Sequence, residues 1–128
     1  MKEMILTKSF FLAPKILSSP ASGWLNNYPD NLHETYVLEA AQGLAIAIKF
    51  TAFDVENQDN CDFDYLTIAD GDGTVLMYQT CGSNLPPDII STTNTVRVTF
   101  HTDSSTTRPG WSLEWTAVSP GGPPRHHK

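Results

Sequence analysis

Three carboxylates in this chain stand beside strand-like apolar runs. Glu56 closes Phe53-Asp54-Val55-Glu56, Asp64 sits in Cys61-Asp62-Phe63-Asp64-Tyr65, and Asp103 sits in Thr102-Asp103-Ser104-Ser105. A charge in such a setting is costly unless it is solvated or bound to a cation. A site built only from oxygen suits a hard cation, and calcium is its natural occupant. Calcium takes six to eight oxygens at about 2.3–2.6 Å. Backbone carbonyls, water and small neighbours such as Ser104, Ser105 and Thr106 would have to complete the shell. The bland alternative is that acidic loop residues in an acidic protein are simply solvated. Spacing alone leaves both open, because no local motif forces the geometry.

The elements that must position these residues show a period of two, the signature of strands. Leu44, Ile46, Ile48 and Phe50 alternate with Ala45, Ala47, Lys49 and Thr51. Val96, Val98 and Phe100 alternate with Thr95, Arg97, Thr99 and His101, and Trp111, Leu113, Trp115 and Ala117 alternate with Ser112, Glu114, Thr116 and Val118. Shorter runs at 36–40, 65–69 and 75–78 fit the same pattern, the last two joined by Asp70-Gly71-Asp72-Gly73 as a hairpin turn. One-sided alternation in many short strands predicts an all-β fold, an antiparallel β-sandwich of two packed sheets. Residues 39–42 are expected to turn rather than form a helix, because Gly43 and strict alternation follow. Residues 18–30 read as loop or edge strand, and Leu85-Pro86-Pro87-Asp88 as a loop crossing between sheets. If 96–101 pairs near the segment around Glu56, the three carboxylates meet at one end of the sandwich.

With 128 residues the chain has room for one domain and its core. A content of 40% apolar and 17% charged residues is that of a globular protein. The net charge of −6 argues against nucleic acid as a partner and favours one presenting Lys or Arg. No stretch reaches transmembrane length. Residues 1–14 are interrupted by Lys2, Glu3 and Lys8 and do not form a signal-peptide pattern. They read as an N-terminal extension, either of a mature fragment or of a piece excised from a longer protein. The final segment, 119–128, is Pro/Gly-rich and reads as a linker or tail. Cys61 and Cys81 are either free thiols or one disulfide. As a disulfide they would close a hairpin-sized loop, contribute about 3 kcal/mol and imply an oxidising compartment.

Other constellations are weaker. Asp70-Gly71-Asp72-Gly73 opens like an EF-hand loop, but Val75-Leu76-Met77-Tyr78 follows and no Glu closes it. His126 and His127 lie in the tail without further ligands, and His33 and His101 each stand isolated in the sequence. Trp24 is either an exposed contact residue or half-buried packing. Glu56 and Asp64 could be imagined as a glycosidase pair, but a shared cation would hold both ionised and unavailable as proton donors. No complete catalytic constellation occurs, so an enzyme is not expected.

Taken together, these residues resemble the CUB domain, an extracellular β-sandwich module of complement proteases, tolloid-type proteinases, spermadhesins and receptors. The resemblance covers about residues 16–118. Ile16-Leu17-Ser18-Ser19-Pro20 is similar to the family's opening stretch and Tyr28-Pro29-Asp30-Asn31 to its Y-P-x-N. Residues 43–53 resemble the G-x-x-I-x-L-x-F-x-x-F strand. Asp54-Val55-Glu56, Cys61-Asp62-Phe63-Asp64-Tyr65, Cys81-Gly82, Asp103-Ser104-Ser105 and Gly110-Trp111 fit the remaining landmarks.

The resemblance implies a CUB-like jelly roll over 15–118, a Cys61–Cys81 bridge and, as in the calcium-binding subset, one calcium ion. Glu56, Asp64 and Asp103 would supply side-chain oxygens and Ser105 a backbone carbonyl. Tyr28 would brace the carboxylates by a hydrogen bond. Thr106 stands where some relatives have Asn. The family's other cysteine pair is missing, as in the two-cysteine first CUB domains of complement-type proteases. Its second Cys would fall near Glu34, and Tyr36 stands where a core Trp often sits. The expected function is an extracellular, secreted or parent-attached, calcium-dependent protein-recognition module. It would capture a partner's Lys at Tyr28, Glu56, Asp64 and Asp103. The rivals are a carbohydrate-binding adhesin of spermadhesin type and a passive spacer in a larger protease or receptor.

Overall fold

The computed structural model describes residues 2–5, 14–21 and 27–120. Trp24, His126, His127 and most of the two terminal segments lie outside them. The described residues form strands β1 (Lys2–Ile5), β2 (Lys15–Ser18), β3 (His33–Glu39), β4 (Ala45–Asp54), β5 (Tyr65–Asp70), β6 (Val75–Thr80), β7 (Ile89–Ile90), β8 (Thr95–His101) and β9 (Gly110–Val118); the alternating runs account for all but β1, β2 and β7. They build two sheets, one ordered β1-β3-β8-β5-β6 and the other β2-β9-β4-β7. The Leu85–Asp88 connection does cross between them, since β6 belongs to the first sheet and β7 to the second.

The predicted inward residues are the core. Ile46, Ile48, Val96, Val98, Phe100, Leu113, Trp115 and Ala117 are all buried. Each large apolar side chain removed from water contributes about 1.5–3 kcal/mol before entropy is counted. Tyr36 fills the place expected for a core aromatic. It is buried edge-on to Trp111, and its hydroxyl donates to Glu34 Oε1 at 2.5 Å.

Three features depart from plain alternation. A β-bulge between Phe50 and Ala52 leaves Thr51 and Ala52 both exposed and returns Phe53 to the core, edge-on to Phe50. The bulge extends β4 towards Glu56 with Val55 still buried. The pairing of β5 with β6 also shifts register twice, so Val75 and Tyr78 stay exposed. Finally, β1 pairs parallel with β3, although its residues read as an extension outside the sandwich. The open edge of β3 offers unpaired N–H and C=O groups, which this short segment takes up.

The Asp70-Gly71-Asp72-Gly73 turn joins β5 to β6 as expected, and Asp70 is a structural anchor. It is buried, and its Oδ1 accepts from Gly71 N, Thr93 N and Thr93 Oγ1 at 2.8, 3.2 and 2.6 Å. Its Oδ2 accepts from Thr92 N and Oγ1 at 2.7 and 2.8 Å. Gly71 must lack a side chain, because a Cβ there would sit 2.1 Å from Thr95 Oγ1.

Burial alone would raise the Asp70 carboxyl, but these donors outweigh it and hold it down to about 2. A carboxylate depressed in the folded state adds stability above its unfolded value, about 4, and loses it as pH falls through the folded value. Asp70→Ala is expected to cost about 3 kcal/mol at neutral pH in urea unfolding. The gap from wild type should narrow as pH falls from about 4 to about 2.

Candidate metal centre

The three carboxylates are delivered from both sheets. Asp64 directly precedes β5, and Asp103 lies two residues beyond the end of β8. Tyr65 and His101 are register partners, so the β5–β8 pairing sets Asp64 beside Asp103. The neighbours of β8 are therefore β3 and β5 rather than the segment around Glu56. Glu56 arrives from the opposite sheet, beyond the end of β4. Its approach is set by a bridge in which Val55 and Gly82 exchange two N–H···O bonds of 2.9 Å. Cys81, next to Gly82, is bonded to Cys61 across a Cα separation of 5.5 Å, so the disulfide ties down the same corner. The alternative of two free thiols is thereby excluded.

Tyr28 joins the two contributions. Its side chain is fully buried and edge-on to Phe100, with ring centres 5.0 Å apart. The hydroxyl donates to Asp64 Oδ2 at 2.6 Å and accepts from Glu56 N–H at 3.0 Å. Asp64 Oδ1 accepts from the Asp103 N–H at 2.9 Å. Gly110 makes room for this packing. It has φ +101°, and a Cβ would meet Ser19 Oγ at 2.0 Å and the Tyr28 ring at 3.4 Å.

One carboxylate oxygen from each of Glu56, Asp64 and Asp103 lies within 4.8 Å of the others. Asp64 is fully buried, while Glu56 and Asp103 keep part of their surface. Glu56 Oε1 is buried without a hydrogen-bond partner. Ser105 donates its N–H to Asp103 Oδ1 at 3.3 Å, and Thr106 takes φ +67° in the same loop. The structure thus brings Tyr28, Glu56, Asp64 and Asp103 together in one corner, with the Ser105 N–H on Asp103.

The charges are in mutual conflict. Burial first, then the charges of Asp64 and Asp103, push the Glu56 carboxyl above the usual range. Burial also raises Asp64, outweighing the hydrogen bonds from Tyr28 and Asp103 that favour its charged form. The Tyr28 phenol is held neutral by burial and by its bond to Asp64. An oxygen-only cluster of net negative charge, with a buried acceptor lacking a donor, fits a hard divalent cation.

Arg108 was not legible as part of this corner. It grips Asp54 through Nε at 3.0 Å and a second nitrogen at 3.4 Å, beside a pocket of about 310 Å³ also lined by Glu56, Thr106 and Ser83. The signal available was Asp54 in the motif and Arg108 two residues before Gly110.

The profile of the CUB domain family matches residues 10–115. The chain belongs to the CUB domain family. It is 35% identical over 108 residues to human cubilin, covering 83% of this chain and 3% of cubilin. It is 35% identical over 95 residues to bone morphogenetic protein 1 of Xenopus laevis, covering 70% of this chain and 13% of that protein. Among solved structures, the MASP-1 CUB2 domain bound to Ca2+ superposes with a TM-score of 0.71 at 25% identity, over 85% of this chain and 96% of that one. The human MASP-1/3 CUB1-EGF-CUB2 structure gives a TM-score of 0.74 at 28% identity, over 88% of this chain and 42% of that one. This CUB domain therefore spans a small fraction of the curated relatives it matches.

A raised carboxyl destabilises the folded state above its folded pKa, and the penalty is relieved as pH falls towards the unfolded value. In chelator, the domain is expected to melt higher on mild acidification from neutral pH. Glu56→Gln should melt higher than wild type in chelator at pH 7 and gain less from acid. Differential scanning calorimetry at several pH values checks both.

Proposed function

We propose that this CUB domain is an extracellular, calcium-dependent protein-recognition module that captures a basic side chain, Lys above all. The observation that carries the reading is the convergence of Glu56, Asp64 and Asp103 within 4.8 Å, with Glu56 Oε1 left without a donor. Calcium would be held by these carboxylates with the Ser105 carbonyl, and when bound it would cancel their repulsion. The calcium-bound state of the MASP-1 CUB2 domain supports the assignment for a related chain. Tyr28 and Thr106 would stand behind the ligands, Tyr28 as the brace.

Burial narrows the contact surface. Tyr28 and Asp64 are fully buried, so contact with a partner falls to Glu56 and Asp103 rather than to all four expected residues. Their outward oxygens would accept charge-assisted hydrogen bonds from an ammonium group, a compact cation suited to a small acidic pocket. Arg108 is already engaged by Asp54 and so leaves Glu56 free for an incoming charge. Holding the acceptors in place before the encounter lowers the entropic cost of binding. The Cys61–Cys81 disulfide supports an oxidising, extracellular setting. The role is binding rather than catalysis.

Surface plasmon resonance with a Lys-containing peptide and its acetylated twin tests the capture. Binding in calcium is expected to fall at least about tenfold on acetylation, in chelator and with Glu56→Gln, and to weaken as salt is raised. Indifference to acetylation combined with competition by simple sugars would replace this reading with a carbohydrate-binding one.

A further inference from the structure

His33 and His101, isolated in the sequence, are brought together by the fold. They are direct register partners on β3 and β8. Their side chains meet on the solvent-facing side of the first sheet with Nδ1 atoms 3.3 Å apart. We propose that this pair is a second metal site, a two-imidazole chelate for a borderline divalent transition ion, Zn2+ in particular.

The spacing carries the argument. Imidazole nitrogens bind zinc at about 2.0–2.1 Å, and two ligands of one tetrahedral ion then lie about 3.3–3.4 Å apart. The observed separation of 3.3 Å equals that bite without any movement of the backbone. The two rings are held at 76° to each other with centres 5.5 Å apart. His101 is further fixed by stacking on Tyr65, its register partner on β5, at 4.9 Å and 23°. The chelating atoms thus stand on two paired strands, with a third bracing one of the rings, a rigid platform for a metal site. A hydrogen bond between the same atoms needs one ring to donate and the other to accept. A metal takes a lone pair from both Nδ1 atoms and leaves each ring its proton on Nε2.

The donor set separates this site from the carboxylate cluster at the same end of the sandwich. Imidazole nitrogen suits zinc, nickel or copper, whereas oxygen suits calcium. Two protein ligands leave two positions of a tetrahedron open, for water or for a donor from another protein. The site is therefore neither a closed structural centre nor a three-ligand catalytic one.

The test uses the full chain carrying His126→Gln and His127→Gln, so that the tail contributes no imidazole, in saturating calcium so that the carboxylates are occupied. Zn2+ alone is titrated by calorimetry, with the imidazole resonances followed by NMR. One zinc per chain is expected, with His33 and His101 resonances shifting together. Adding His33→Gln or His101→Gln should each weaken binding by about 100-fold, the loss of an intramolecular second contact. Calcium titration should be unchanged in His33→Gln, and circular dichroism should report the same sheet content. Absence of zinc binding, or binding in both variants undiminished from that of the parent chain, overturns the proposal.

Discussion

The Tyr28 hydroxyl is the contact on which the candidate site depends. It donates to Asp64, which leads into the first sheet, and accepts from the backbone of Glu56, which extends the second. The same atom therefore sets the distance between two carboxylates that repel each other. A phenol can do this because it gives one proton and accepts another, and burial keeps it neutral. Its ring packs on Phe100 within the core, so the site inherits the rigidity of the sandwich.

Around that contact the corner is restrained several times over. The Val55–Gly82 bridge and the Cys61–Cys81 disulfide hold the Glu56 segment. The β5–β8 register holds Asp64 against the Asp103 loop. Asn31 donates its N–H to the Asp103 carbonyl at 2.7 Å, and Thr102 bonds to both Pro29 and Leu32. These restraints force negative charges into proximity, a conflict that a divalent cation resolves. The contrast with Asp70 is instructive, because that carboxylate is buried like Asp64 yet surrounded by five donors. Asp70 is complete without a cation. Glu56, with an acceptor oxygen unmatched, is not.

The period-two runs were enough to place the main core strands, since inward residues such as Val96, Val98 and Phe100 cannot change face without exposing apolar surface. The carboxylate site was legible as a set of types and, through family likeness, as a set of positions. Its geometry was not, because the pairing of β8 with β5 joins residues nearly forty apart. The bulge in β4 had a local sign in the three-residue step from Phe50 to Phe53, which breaks strict alternation. The His33–His101 pair had none, because only strand register brings those residues together. The role of Asp70 was hidden for a similar reason: its partners Thr92 and Thr93 are distant in the chain. The parallel pairing of β1 carries no alternation to read in four residues.

Calorimetric titration of calcium into the chelator-treated chain tests the central claim most directly. The account requires one calcium per chain, together with a higher melting temperature in calcium than in chelator, since a ligand bound only to the folded state stabilises it. Asp103→Ala should remove both the binding heat and the melting difference. A wild-type chain that gives no calcium heat, and melts alike with and without chelator, would contradict it.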